Sequence, residues 1–203
     1  MFRKTTIASL FITLTLGHIA AASDQNFVSH TTRNQRYLNW HNECLSLDID
    51  TIDRKIAQFE AVMQQDPQDH LAEAYLGSAH ALKAKAAFWP PTKVSNLKRG
   101  KHLIDHAVQS DPHNPRVRLV RAIAYFRVPK IFECRSISLS DFDTLVPGAL
   151  KGTLKLSSRE RQAMLYYAAL AYKEDGRDAL AQQCKATCHR IDPNSKYGKL
   201  TTP

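Results

Sequence analysis

Apolar and small residues recur at three- and four-residue intervals along this chain. Gly100, Ile104, Ala107 and Val108 fall on one stripe, and Leu165, Ala168, Ala169 and Tyr172 on another. That period is the signature of an amphipathic α-helix. The pattern predicts helices near 50–65, 69–87, 93–110, 114–127, 158–174 and 176–191. The punctuation agrees. Ser157 and Glu160 have capping-box spacing, and Gly176 breaks the chain between the last two helices. Asp-Pro recurs at Asp66-Pro67, Asp111-Pro112 and Asp192-Pro193, each time where a helical stretch stops. A proline ring cannot continue the hydrogen-bond ladder. Residues 129–156 fit no clean unit and leave room for one short helix at Leu139–Val146.

The Asp-Pro pairs lie 45 and 81 residues apart, and the second spacing is close to two units of about 40 residues, the range of stacked helical repeats. Counting back from Pro193, Leu165, Ala168, Ala169, Tyr172, Ala181 and Cys188 stand where the tetratricopeptide (TPR) family places its consensus bulky, small and aromatic residues. The stretch resembles that family, and Lys185 departs from it where a bulky apolar residue is expected. Gly77 and Ala122, each ten residues past an Asp-Pro proline, repeat the small-residue position. Small residues there allow two antiparallel helices to approach closely. Between Gly77 and Gly100 the chain is longer than the family unit by 11 residues, which places an insertion near 88–98. It contains Phe88-Trp89-Pro90-Pro91, read as a corner stapled by its aromatics, with an exposed aromatic loop as the alternative. The resemblance implies an all-α fold, antiparallel helix pairs of a short TPR-like α-solenoid, over 49–203, with 129–156 irregular.

The first residues carry a different message. Arg3 and Lys4 precede an apolar run, Ile7–Ile19, and Ala20, Ala21, Ala22 and Ser23 follow it. Positive, apolar and small residues in that order make a secretory signal peptide. The run is shorter than the roughly 20 residues that a membrane-spanning helix needs. The expected organisation is a signal peptide over 1–22, an extension over 23–48 and the helical domain beyond, with a periplasmic or secreted product cleaved near Ala22. No transmembrane segment is expected in the mature chain.

Composition adds little to this picture. Without Arg3 and Lys4, 26 basic residues face 19 acidic ones, a balance near +7, but no basic run is longer than Lys98-Arg99. Scattered charge of this kind reads as a solvated surface, and no nucleic acid is expected as a partner. No Gly-x-Ser-x-Gly, His-Glu-x-x-His or phosphate-cradling glycine loop is present, so no enzyme, no catalytic residue and no cofactor is expected.

Three constellations remain. Cys184-Lys-Ala-Thr-Cys188-His189 is one residue longer than the Cys-x-x-Cys-His motif that attaches haem. A haem- or metal-linked redox protein using Cys184, Cys188 and His189 is thus an alternative, set against buried packing of both thiols. The four cysteines allow a disulfide in an oxidising compartment, with the pattern among Cys44, Cys134, Cys184 and Cys188 left open. His102 and His106 have zinc-compatible spacing beside Asp105, yet both point away from the Gly100–Ile104–Ala107 stripe and lack a third ligand, as does His41 with Cys44. No metal site is expected.

In TPR-like proteins the first helix of each unit lines a concave groove. The resemblance places Leu71, Ala74 and Ser78, then Arg116, Leu119, Ile123 and Phe126, then Tyr166, Leu170 and Lys173 on that face. It implies a protein-interaction or scaffold module that takes a protein or peptide partner on its concave helical face. A small-ligand or lipid binder in the apolar groove is the other alternative. The chain itself is a competing occupant of the groove, through residues 24–48 or 129–156.

Overall fold

The computed structural model describes residues 32–202. The chain divides into two compact units, Met1–Asn39 and Trp40–Pro203. The expected signal peptide over 1–22, and residues 23–31 of the expected extension, lie outside the described residues. In the first unit, residues 32–39 are helical, and the Gln35 amide donates to Asn39 Oδ1 one turn on, at 2.8 Å. In the second unit, residues 40–44 are helical and form α1.

The second unit is all-α, and its described residues contain no strand. After α1 come α2 (Ile49–Gln65), α3 (His70–Ala86), α4 (Pro90–Ser110), α5 (Pro115–Arg127), α6 (Arg135–Lys151), α7 (Ser158–Glu174), α8 (Asp178–Ile191) and the short α9 (Lys196–Lys199). Local chemistry sets these limits. Asp48, Asp69 and Asn114 cap α2, α3 and α5 by accepting from the first-turn amides of Thr51, Ala72 and Arg116, which relieves donors that have no partner inside the helix. Ser157 and Glu160 form a complete capping box on α7. The aspartate of each Asp-Pro pair is a C-cap, of α2, α4 and α8.

Three antiparallel pairs follow, α3 with α4, α5 with α6 and α7 with α8, while α2 packs on α3. The first helices of successive pairs touch, α3 with α5 and α5 with α7, so they form one layer. Phe142, Met164, Leu165, Cys184 and Cys188 are buried in a common core of the last two pairs. The α3–α4 contact is backbone on backbone. A Cβ added at Gly100 would lie 2.6 Å from the Gly77 carbonyl oxygen, and one at Gly77 would lie 2.7 Å from that of Gly100.

Two expectations change. Residues 129–156 are not irregular: a 3-10 turn at Lys130–Phe132 leads into the 17-residue α6, the full partner of α5. The insertion near 88–98 holds more helix than the start expected at 93 allowed. It is absorbed into helix, because α4 starts at Pro90 and runs for 21 residues with both prolines in its first turn, where a missing N–H costs nothing. Only 87–89 connect α3 to α4, and Phe88 and Trp89 are 94% and 64% exposed there, so this aromatic pair staples no corner.

Ion pairs lock the middle of the unit. Asp141 of α6 is fully buried and accepts from Arg118 Nη1 at 2.8 Å and from Arg121 Nε and Nη2 at 2.8 and 2.9 Å. Arg121 also reaches Asp105 of α4 at 3.4 Å. Arg118 and Arg121, three apart, share a helix face. Arg116 looks the other way and grips Glu160 of α7 through Nε at 2.8 Å and Nη2 at 3.3 Å.

Candidate functional site

The layer of α3, α5 and α7 carries the positions that the repeat pattern assigned to a groove. The structure treats them unequally. Leu71, Ala74, Ser78, Leu119 and Phe126 are buried, Leu119 at only 6% exposure. Ser78 Oγ is engaged by His41 Nε2 at 2.9 Å. These residues hold the fold together instead of presenting a surface. Ile123, Tyr166 and Leu170 are half-buried and pack on the core beneath them. Arg116 is occupied by Glu160, and exposed Lys173 pairs with Asp178 at 2.7 Å. Of the proposed self-covering residues, Trp40 sets its ring against Phe59 of α2 with centroids 5.3 Å apart. Residues 129–156 contribute α6 to the pairing.

What does come together is aromatic. Tyr166 and Tyr167 on α7 meet Tyr197 on α9, with ring centroids 5.2 Å apart for Tyr166–Tyr167, 5.4 Å for Tyr166–Tyr197 and 6.3 Å for Tyr167–Tyr197. Phe126 joins Tyr167 edge-on at 6.0 Å. All three tyrosines are half-buried, and Arg127, the last residue of α5, is exposed. Burial pushes the Tyr197 phenol upward, opposed by Arg159 and Arg127. Tyrosines offer large amphipathic rings with little rotamer freedom to lose, which suits them to interfaces.

Tyr167, Tyr197 and Arg127 escaped the sequence reading. Tyr197 lies beyond the last Asp-Pro, where the repeat offsets stop. Its position is nevertheless fixed by local chemistry. Ser195 caps α9 by accepting from the Gly198 amide at 2.9 Å, the Gln162 amide donates to the Asp192 carbonyl at 2.9 Å, and His189 Nδ1 donates to the Gly198 carbonyl at 3.0 Å. A Cβ at Gly198 would collide with the Asp192 carbonyl, so only glycine lets the tail fold back so closely.

The cysteines are core. All four are free and buried. Burial pushes the Cys44 thiol up to about 11 and Cys184 to about 12, and it raises Cys188 as well, which leaves these sulfurs as thiols, the unreactive form. Cys188 donates to the Gln162 carbonyl at 3.4 Å, and its neighbour His189 is held by the tail.

His41 adds a pH-dependent element. Burial, reinforced by the Arg127 guanidinium, lowers its pKa from 6.5 to about 4, and burial also lowers that of His80. Both imidazoles resist protonation in the fold and accept a proton on unfolding. The His41 contribution is therefore complete above pH 6.5 and fades as the pH falls towards 4, and that of His80 changes in the same direction. Urea melts should show a loss of about 1–2 kcal/mol between pH 7 and pH 5, discounted for the partial exposure of His41, and His41→Asn should flatten that slope.

Compared with protein-family models, with characterised proteins and with solved structures, the chain matches none. No helix among the described residues is long and apolar enough to cross a membrane.

Proposed function

We propose that this chain is a TPR-like protein-interaction module, exported after loss of its leader, that takes a protein or peptide partner on the tyrosine face of α5, α7 and α9. The observation that carries this reading is the half-buried Tyr166–Tyr167–Tyr197 cluster beside Ile123, Leu170 and Arg127. Such a surface supplies apolar area for affinity and a guanidinium for a carboxylate on the partner. The groove expected from the repeat offsets narrows accordingly. Leu119 and Phe126 belong to the core beneath the face, Leu71 and Ser78 are buried on α3, and the contact residues are Ile123, Tyr166 and Leu170 with the added Tyr167, Tyr197 and Arg127. The role is binding, and no catalytic step is assigned.

The variant Tyr166→Asp/Leu170→Asp tests this face. Partner retention in envelope extracts should fall at least tenfold, while the thermal midpoint moves only by the few degrees expected of half-buried positions. Undiminished retention with the fold intact sinks the assignment. A small apolar ligand or lipid would show itself instead as added mass in native mass spectrometry of the purified chain.

A further inference from the structure

Three side chains from two helices converge where α3 begins and α4 nears its end. Glu73 is buried at 5% exposure, and its two oxygens face two different imidazoles. His70 Nδ1 lies 3.2 Å from Oε2, and His106 Nδ1 lies 2.7 Å from Oε1. The two rings are 6.1 Å apart and inclined at 68°. One ligand atom from each of the three residues lies within 4.8 Å of the others. No lysine or arginine ion pair to Glu73 occurs among the described residues; two imidazole nitrogens face its oxygens. A buried carboxylate is costly unless a cation compensates it.

We propose that His70, Glu73 and His106 form a binding site for one borderline divalent transition-metal ion, with Zn2+ the best fit. Two imidazole nitrogens and one carboxylate oxygen are a zinc donor set, and the set leaves a fourth position open. Metal–ligand bonds of about 2.0–2.1 Å in tetrahedral geometry put ligand atoms about 3.3 Å apart. With one carboxylate oxygen as ligand, one of the two separations, 3.2 Å from His70 to Oε2 or 2.7 Å from His106 to Oε1, is an edge of the site already close to that value. The wider edges, all within 4.8 Å, close by rotation of His106, whose side chain is 54% exposed. That exposure also gives the ion its route in and leaves the open position facing water. In the bound state each ring offers its Nδ1 lone pair and keeps its proton on Nε2. For His106 that Nε2–H points to Ser110 Oγ, 3.5 Å away, an outer partner of the kind that orients a ligating imidazole.

The scaffold under the site is rigid. His70 and Glu73 are three apart and project from one face of α3, whose first turn is capped by Asp69. His106 is delivered by α4, which is held against α3 by the Gly77–Gly100 contact. It lies four residues before Ser110, the last residue of α4, where the negative end of the helix dipole favours a cation. The spacing of His102 and His106 suggested a ligand pair on one helix. The structure gives His106 its partners from α3 instead, leaving His102 exposed.

The test is a titration of the chelator-treated full-length chain with Zn2+ alone, in competition with a chromophoric chelator, and with Co2+ as a visible-absorption reporter. The expected result is one equivalent of Zn2+ and tetrahedral Co2+ bands without thiolate charge transfer. His106→Gln and His70→Gln should each weaken binding at least about 100-fold, beyond what loss of an outer-sphere partner does, whereas His102→Gln should leave it unchanged. Glutamine at 106 retains a donor for Glu73, so the fold survives, and Zn2+ should raise the thermal midpoint of the parent chain but not of this variant. Equal affinity in the parent and His106→Gln, dependence on His102, or no competition with the chelator overturns the site.

Discussion

Replacing Asp141 with alanine is expected to cost about 3–5 kcal/mol of stability, the range for breaking a buried ion pair by removing one partner. For a chain of this size that is a fall of roughly 10 °C in the thermal midpoint. Arg118 and Arg121 both donate to this carboxylate, and their side chains are only 18% and 15% exposed. The variant leaves two guanidiniums close together with little water to screen them. Arg121 keeps a longer contact to Asp105, so the lower half of the range is the better expectation. Arg118→Ala should cost less, because Arg121 still holds Asp141 through two nitrogens. A calorimetric scan of both variants checks the order. A change below about 1 kcal/mol for Asp141→Ala, the scale of a surface pair, would show that this cluster does not tie α5 to α6.

Gly100→Val is the second large effect, at about 3 kcal/mol or more, the upper end of what overpacking costs. The obstacle is main chain: the Gly77 carbonyl oxygen and the Ala81 nitrogen lie 2.6 and 3.1 Å from where the new Cβ would stand. Neither can swing aside as a side chain does, so α3 and α4 must separate. Even Gly100→Ala should destabilise, although alanine in mid-helix ordinarily gains about 1 kcal/mol over glycine. Denaturant melts give both values, and a more stable Gly100→Ala would mean that the helices are not in contact there. Gly100→Ala should also move His106 away from Glu73 and weaken Zn2+ binding at a distance.

The helices were legible wherever burial and apolar character coincide. Stretches α2, α3, α5, α7 and α8 were located within two residues because Leu119-, Leu165- and Tyr172-type positions repeat with helical period and caps mark their ends. Helix α6 was legible only as a short helix at Leu139–Val146, because its buried face carries Ser138 and Asp141, and Pro147 stands inside it. Ser138 is satisfied by donating to the Ala122 carbonyl at 2.7 Å and Asp141 by two arginines, partners that lie on α5 and cannot be read from α6 alone. The face was legible only in part. Offsets place a residue on a helix but do not say how deeply a neighbouring helix covers it, so Leu119 and Ile123 read alike although one is core and the other half-exposed. Tyr197 depends on a tail that folds back over α8, and Glu73 meets His106 only because two glycines let α3 and α4 touch.

The most direct test of the binding face is site-specific photo-crosslinking in the cell. A photoreactive residue at position 170, on the tyrosine face, is compared with one at position 183, exposed on α8. The account predicts a discrete protein or peptide adduct from position 170, absent from position 183 and lost when Tyr166 and Tyr197 are replaced by alanine. Adducts of equal intensity from both positions, or from 183 alone, would contradict it.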